Sequence, residues 1–209
     1  MTEDGDIGAS KRAMRAAMRA RIASLVPEVS RIWSGTTASC LYPRLSGYRR
    51  VMLYWPLGIA VRGAPVAEVD LRALISSLIG MGAEVTLPRT DWERGIVEPR
   101  IVRQPPVDLV VGRFGVSEPA VTCAKPTKPP EVVIAPGLAF DREGGRLGRG
   151  AGFYDRFVAS LRREHPGQSR IIGVCFGIQV VDRVPREETD EPMDEIWTEG
   201  GRIWERAAK

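Results

Sequence analysis

The chain lacks the features that mark several specialised classes of protein. Its 209 residues include three cysteines and one histidine, without a CxxC or CxxH pattern, so neither a disulfide framework nor a zinc site is expected. Unpaired cysteines favour the cytoplasm. No run approaches the about 18 apolar residues of a membrane span, and no apolar segment follows the polar N-terminus, as a signal peptide requires. We therefore expect a cytoplasmic protein without a membrane partner.

Several well-known nucleotide-binding and catalytic motifs are also missing. GxxxxGK followed by Ser or Thr does not occur, and the glycine-rich stretch GRGAG is not GxGxxG. The single histidine, His165, follows a basic helix end and precedes a proline, which indicates a helix C-terminal role rather than catalysis. No Ser/His/Asp set can be assembled. These absences speak against P-loop and dinucleotide folds and against hydrolase, zinc and pyridoxal chemistry.

The composition that remains is that of an ordinary globular protein. Hydrophobic residues make up 44% and charged residues 27% of the chain, enough for one good core. We expect a disordered lead at 1–9 and a single domain at 10–209. The net charge of +4 favours acidic partners, but charge alone does not separate a nucleotide or polyanionic substrate from nucleic acid.

Helical and strand periodicities alternate along the chain. Apolar spacing predicts a helix capped by Ser10 and further helices at 28–41, 66–80 and 152–164. Strands are predicted at 51–55, 84–88, 132–135, 170–176, 195–198 and 202–204, with short ones near 100 and 110 in a proline-rich stretch. This alternation predicts an α/β fold: a three-layer sandwich whose largely parallel, mixed sheet is flanked by helices.

The most informative stretch runs from Asp141 to Asp155, DREGGRLGRGAGFYD. It carries five glycines and three arginines between the apolar run VVIAPGLAF and an amphipathic helix. Glycine lets backbone approach an anion closely, and the first turn of a helix presents free N–H groups to it. The segment therefore predicts a phosphate cradle, although the same composition fits a flexible surface connection. Spacing alone leaves both interpretations open.

Longer motifs carry a resemblance to a known family. GRLGRGAGFYD, with PGLAFD before it, resembles the signature of the 5-formyltetrahydrofolate cyclo-ligases, also called methenyltetrahydrofolate synthetases. Four further pieces occur in the family's order, so that the resemblance covers nearly the whole chain: KRAMR at 11–15, EVD at 68–70, FGVSEP at 114–119 and GVCFGIQVVDRVPREETDEPMD at 173–194. It implies that Mg·ATP drives the conversion of 5-formyltetrahydrofolate into 5,10-methenyltetrahydrofolate, with release of ADP and phosphate. The resemblance also implies that the formyl oxygen attacks the γ-phosphate and that N10 then closes on the activated carbon.

The resemblance also implies which residues form the site. An ATP site is implied at Lys11, Arg15, Gly145, Arg146, Leu147, Gly148, Arg149, Gly150, Ala151, Gly152, Phe153, Tyr154 and Asp155. Folate contacts are implied for Glu68, Arg149, Phe153 and Tyr154, magnesium ligation for Asp155 and Asp190, and catalytic roles for Arg149, Tyr154 and Asp155.

Each of these residues also has an ordinary structural interpretation. Asp155 is suited to Mg²⁺ but equally to the positive end of a helix dipole. Lys11 and Arg15 lie four apart, as on any solvated helix face. Glu68 is a good first-turn acid, and Asp190 lies in the acidic run EETDE, a composition that is usually just solvated.

Three departures from the family pattern bear on substrate and rate. Ala151 stands where relatives carry glycine or lysine, Phe153 where many carry tyrosine, and residues 57–67 are longer than the usual lead into EVD. A folate- or nucleotide-binding paralogue without turnover is the alternative function, followed by a nucleic-acid binder built on the arginine-rich first helix. We expect a monomer that acts on the folate, with or without a polyglutamate tail, and no nucleic-acid partner.

Overall fold

Helices and strands alternate through most of the chain, as the periodicity predicts. The computed structural model describes residues 3–57, 60–61, 64–65 and 68–207. The helices are α1 Glu3–Ala23, α2 Pro27–Leu45, α3 Arg72–Gly80 and α4 Phe153–Glu164. The strands are β1 Arg50–Met52, β2 Ala60–Val61, β3 Ala64–Pro65, β4 Glu84–Asp91, β5 Ile96–Val102, β6 Leu109–Val111, β7 Ser117–Pro119, β8 Val132–Pro136, β9 Ala139–Phe140, β10 Arg146–Leu147, β11 Arg170–Val174, β12 Glu195–Thr198 and β13 Gly201–Glu205.

Seven of the strands form one mixed sheet. Its order is β13-β12-β11-β8-β1-β4-β5. The strands from β12 to β4 pair in parallel, whereas the edge strands β13 and β5 pair antiparallel to their neighbours. The largely parallel, mixed sheet predicted from the sequence is confirmed.

The core lies on both faces of this sheet. Along β8, Val132 and Ile134 pack with the buried leucines of α2 and α3, while Val133 and Ala135 pack with Val158 of α4. Because alternate residues of a strand point to opposite faces, α2 and α3 cover one face and α4 covers the other. The three-layer arrangement is therefore confirmed, and burial on both sides explains the continuous apolar runs of the central strands.

The first helix differs from its predicted start. It begins at Glu3, so Ser10 lies inside it rather than capping it, and residues 3–9 are helical instead of a disordered lead. Downstream, Met18 and Ile22 pack on Leu138 and Leu147. No local sequence pattern reveals this apolar contact with residues far along the chain, and it is one of the contacts that hold the helix against the rest of the protein.

A buried carboxylate joins α2, β11 and β12. Glu195 of β12 is fully buried and accepts hydrogen bonds from Arg44 and Arg170, each at 2.6 Å, and from Trp197 at 2.8 Å. Burial alone would raise the pKa of Glu195, but the hydrogen bonds from Arg44 and its neighbours outweigh burial and lower it. The carboxylate thus stays ionised and ties α2 and β11 to β12.

We expect Glu195→Gln to lower the free energy of unfolding by about 2–3 kcal/mol at neutral pH, because it leaves Arg44 without its counter-charge and leaves Arg170 with Glu205 as its remaining carboxylate. Urea unfolding measures the loss. The control is Glu28→Gln, which removes an exposed charge paired with Arg31 and should have no measurable effect. Equal stability of the two variants would contradict a structural role for Glu195.

Candidate active site

A large cavity opens at one end of the parallel strands. It has a volume of about 1190 Å³ and is lined by residues at or beyond the carboxyl ends of three strands: Pro136 of β8, Tyr54 after β1 and Thr90 of β4. Open α/β sheets bind ligands at this end of their strands. The segment 146–152 forms one wall, and α1 contributes Lys11, Arg12, Arg15 and Arg19.

A buried aspartate shapes the glycine-rich turn, residues 144–152, which we call the cradle. Asp141 is fully buried and accepts the backbone N–H groups of Glu143, Gly145 and Val184 at 2.7–2.9 Å. Arg186 donates to both of its carboxylate oxygens, at 2.7 and 3.0 Å. Burial alone would raise the pKa of Asp141, but these hydrogen bonds outweigh burial and hold the pKa below its ordinary value. The residue was not among the predicted site residues, although an aspartate before a Gly-Gly turn is a recognisable turn signal.

Gly145 serves this turn rather than the cavity wall. It does not line the cavity, unlike the predicted cradle residues from Arg146 onward. A Cβ at this position would collide with the Asp141 carboxylate and with Arg186. The glycine is therefore required for the Asp141 contact, and its expected contact with ATP stays a prediction.

The cradle ends at the first turn of α4. Gly152 precedes the helix with φ +67°, a left-handed conformation that glycine adopts without strain. Asp155 lies in that first turn and accepts a hydrogen bond from Arg146 at 2.8 Å. Arg146 is 8% exposed and also donates to the Pro136 carbonyl at 3.2 Å. The guanidinium is thus held against the end of β8 instead of extending into solvent.

Arg149 and Glu68, predicted for the nucleotide and the folate, meet in the cavity. Arg149 donates to Oε1 of Glu68 at 2.9 Å, and Oε2 of Glu68 accepts the Leu57 N–H at 3.0 Å. The Glu68 side chain is 6% exposed and that of Arg149 is 35% exposed. The structure therefore joins two predicted residues that are far apart in sequence.

Two predicted residues of α1 also reach the cavity wall. Lys11, which is buried, donates to Asp190 at 2.5 Å and lies 3.0 Å from the Glu187 carboxylate. Arg15 donates to the Gly148 carbonyl at 3.0 Å. The interpretation of this pair as a solvated helix face is wrong, because both side chains tie α1 to other parts of the site.

The hydroxyl of Tyr154 is a buried polar group at the cavity. Among the described residues it has no hydrogen-bond partner, and neither does Nε of Arg146. The Arg146 guanidinium lies over the Tyr154 ring, 5.6 Å from its centre. Burial, and next the charge of Glu68, raise the pKa of Tyr154, so the phenol stays neutral and can donate. Unpaired buried polar atoms of this kind call for a ligand or water to satisfy them.

The carboxylates at the cavity fit a hard cation. Within the described ranges, no three His, Cys, Asp or Glu side chains cluster into a ready-made metal site. Asp155 and Asp190 both line the cavity, and Mg²⁺ needs only one or two carboxylates when phosphate and water complete its shell. Each already has a cationic partner, Arg146 for Asp155 and Lys11 for Asp190.

Aromatic rings form the wall nearest the β4–β5 turn. Trp92 contacts Phe153 and Phe114 edge to face, with ring centres 5.1 and 5.4 Å apart. The Arg113 guanidinium lies over both Trp92 and Phe114. Trp92 and Arg113 were not predicted, because only the tertiary fold brings them to Phe153.

Proteins of known family resemble this chain over most of its length. The model of the 5-formyltetrahydrofolate cyclo-ligase family matches residues 8–199. The chain belongs to this family. The resemblance inferred from the motifs is thereby confirmed.

Individual cyclo-ligases support the assignment. The 5-formyltetrahydrofolate cyclo-ligase of Mycolicibacterium smegmatis is 34% identical over 160 residues, covering 74% of this chain and 75% of that protein. The Escherichia coli K12 cyclo-ligase is 31% identical over 169 residues, covering 75% and 87%. The NMR structure of Aquifex aeolicus 5,10-methenyltetrahydrofolate synthetase superposes with a TM-score of 0.77 at 30% identity, covering 95% of this chain and 94% of that one.

Two departures from the cyclo-ligase pattern have simple structural settings. Ala151 is exposed in the cradle. Phe153 contacts Trp92 through its ring, and Arg156 lies over that ring at 5.2 Å, so loss of a tyrosine hydroxyl leaves the ring contacts in place. Of the longer lead, residues 58–59, 62–63 and 66–67 lie outside the described part of the chain.

We expect Asp141→Asn to destabilise this cyclo-ligase at neutral pH by about 3 kcal/mol, because it leaves Arg186 without its buried counter-charge. The lowered pKa makes the stabilisation by Asp141 complete above the unfolded pKa and lost as pH falls through the folded pKa. The variant should therefore lose less stability than the parent when both are acidified. Denaturant unfolding across the acid range measures this. The control is Glu188→Gln, which changes an exposed carboxylate. Parallel pH profiles for Asp141→Asn and the parent would contradict the prediction.

Proposed function

We propose that this chain is an ATP-dependent 5-formyltetrahydrofolate cyclo-ligase that produces 5,10-methenyltetrahydrofolate, ADP and phosphate. The ion pair between Arg149 and Glu68 carries the proposal. It joins the cradle, where the phosphates would bind, to the carboxylate expected to hold the pterin, so a single cavity can bring both substrates together.

The cradle and α1 supply the charges that a triphosphate needs. Arg146 and Arg149 carry guanidinium groups that can bind phosphate oxygens through two parallel hydrogen bonds. Lys11 and Arg15 add positive charge from α1, and the N-terminus of α4 points its free N–H groups to the same region. These groups hold the phosphates in position for attack.

The reaction requires positioning and charge stabilisation rather than a covalent enzyme intermediate. The formyl oxygen bonds to the γ-phosphorus while the bond to ADP breaks. N10 then bonds to the formyl carbon and loses its proton, and the carbon–oxygen bond breaks to release phosphate. Arg149 can stabilise charge on the transferred group, and the neutral phenol of Tyr154 can donate a hydrogen bond to a reacting oxygen.

Glu68 is suited to orient the folate. Its carboxylate can accept hydrogen bonds from the pterin amino and ring N–H groups. Oε2 is already held by the Leu57 N–H, which restricts the direction in which the carboxylate faces. When a phosphate draws Arg149 away, Oε1 of Glu68 becomes available to the pterin.

Asp155 and Asp190 would hold Mg²⁺, with phosphate oxygens and water completing the shell. Bound there, the ion would neutralise charge on the transferring phosphoryl group. Arg146 and Lys11 would then keep these carboxylates oriented toward the cavity.

The alternative functions differ in what they predict. A binding-only paralogue would be stabilised by ATP or folate without forming product. A nucleic-acid binder would need an outward basic surface, whereas Arg12, Arg15 and Arg19 of α1 line the cavity. This location disfavours nucleic acid as a partner.

That the protein acts as a single-domain cytoplasmic monomer stays a prediction. No described helix has the length and apolar character to cross a membrane.

We expect the purified protein, mixed with Mg·ATP and 5-formyltetrahydrofolate, to form methenyltetrahydrofolate, followed by its near-ultraviolet absorbance. Arg149→Ala should lower kcat/KM by about 100-fold or more, because it removes a group that stabilises the transferred phosphoryl. Arg163→Ala is the matched control, since it removes an exposed arginine of α4, and should leave the rate unchanged. Absence of product with the parent protein would overturn the proposal in favour of a binding-only paralogue.

We expect Asp155→Asn to raise the Mg²⁺ concentration needed for half-maximal rate by about tenfold, because it removes one ligand charge. Asparagine can still accept the Arg146 hydrogen bond, so the fold should be retained. The exposed Asp182→Asn, which lies outside the cavity lining, serves as the control. A Mg²⁺ dependence identical to that of the parent would show that Asp155 is the helix-dipole acid and not a ligand.

A further inference from the structure

The turn after β6 directs an arginine into the cavity beside the aromatic wall. We use "aromatic wall" for Trp92, Phe114 and Phe153. The guanidinium of Arg113 lies 5.1 Å from the centre of the Trp92 ring and 5.0 Å from that of Phe114. Stacking on two rings holds a guanidinium in place while its N–H groups stay available at its edge.

Arg113 differs from the cavity arginines beside the cradle. Arg146 and Arg149 each pair with a carboxylate. Among the residues that the structure describes, none forms an ion pair with Arg113, whose side chain is exposed. A stacked and unneutralised cation on a cavity wall is suited to bind an anionic group of a ligand.

The backbone that carries Arg113 is strained and clamped. Phe114 has φ +63°, a left-handed conformation that a bulky residue rarely adopts. A Cβ at Gly112 would lie 2.8 Å from the Glu118 carboxylate, and Glu118 accepts the Thr90 N–H at 3.1 Å. The turn is therefore tied closely to β4. Strain retained in this way concentrates at turns that hold ligands.

The position of Arg113 along the sheet indicates which anion it meets. The cradle follows β8, and Glu68 and Tyr54 lie beyond the neighbouring strand β1. Trp92, with Arg113 over its ring, lies at the turn after β4, the next strand in the sheet. Two strand spacings separate β8 from β4, about 10 Å, and Phe153, next to the cradle, reaches Trp92 across that distance. A folate bound along the cavity would place its pterin near Glu68 and Tyr54, beside the phosphate donor in the cradle. Its aminobenzoyl ring and glutamate would then extend toward Trp92 and Arg113.

We propose that Arg113 binds the carboxylates of the folate's glutamate tail, with the aminobenzoyl ring packed on Trp92 and Phe153. The inference rests on the proposed function and adds a specificity-determining residue to it. The tail is the anionic end of the substrate farthest from the reacting formyl group. Arg113 therefore affects substrate affinity and not the chemical step.

The test compares three substrates in the cyclisation assay: the monoglutamate, the triglutamate and 5-formyltetrahydropteroate, which lacks glutamate. Arg113→Ala should raise KM for both glutamylated substrates by about tenfold, the effect of losing one charge-assisted contact. Its kcat, its KM for the pteroate and its KM for ATP should match the parent. Arg113→Lys keeps the charge and should recover part of the affinity.

Arg94→Ala is the matched control. Arg94 lies in the β4–β5 turn, as Trp92 does. Its side chain is exposed near Glu98 and is not part of the cavity lining. It should leave all three KM values unchanged. Thermal unfolding of each variant checks that the fold is retained.

Several results would overturn the proposal. Unchanged KM values for Arg113→Ala, an equal rise for the pteroate, or a rise confined to ATP would each exclude a glutamate-tail site. If the parent protein makes no product, the proposed catalytic function is wrong, but the glutamate-tail site can still be tested. The test is then equilibrium binding of 5-formyltetrahydrofolate and of the pteroate without ATP. Affinity that depends on the tail and is lost in Arg113→Ala supports the site; affinity that does not depend on the tail refutes it.

Discussion

The buried carboxylate of Asp141 is the interaction on which the site depends. For the proposed triphosphate binding, the cradle has to keep its backbone N–H groups and arginines close to one geometry. Asp141 fixes the start of this turn by accepting hydrogen bonds from three backbone N–H groups and from the Arg186 guanidinium. The hydrogen bonds of these N–H groups and of Arg186 all end on one ionised, buried carboxylate. The adjacent segment 146–152 faces the cavity instead. Glycine at 145 is the condition for this arrangement, because a side chain there would displace the carboxylate.

Ion pairs inside the cavity keep the site oriented before substrates bind. Arg146 pairs with Asp155, Arg149 with Glu68, and Lys11 with Asp190. Each pair combines a cation suited to phosphate with a carboxylate suited to magnesium or pterin. A charged side chain left unpaired in a partly buried cavity would be costly, so the partners stabilise one another in the free protein. A substrate can then replace an intramolecular partner, as proposed for Arg149 and Glu68, without a charge having to be buried alone.

Much of the fold follows from local patterns, whereas the site follows from them only in part. Both faces of β8 are buried, so its continuous apolar run predicts a central strand. The glycines and arginines that follow this strand predict the cradle. Lys11, Glu68 and Asp190 were found only through family motifs, since their own sequence surroundings fit ordinary solvated helix turns and acidic runs. Trp92 and Arg113 were missed because the pairing of β4 with β5 and the turn after β6 bring them to the cavity. No sequence periodicity records such a tertiary contact.

The first helix shows how a surface element becomes part of a binding site. Its apolar contact is small, with Met18 and Ile22 buried against Leu138 and Leu147, and its exposed positions carry alanines and arginines. What orients it are polar contacts to the site itself: Lys11 to Asp190 and Arg15 to the Gly148 carbonyl. Because these contacts lie where phosphates are expected, an anion bound in the cradle would add attraction between α1 and the rest of the protein. If a nucleotide binds there as proposed, its binding and the docking of this helix would be coupled, and each would strengthen the other through the same charges.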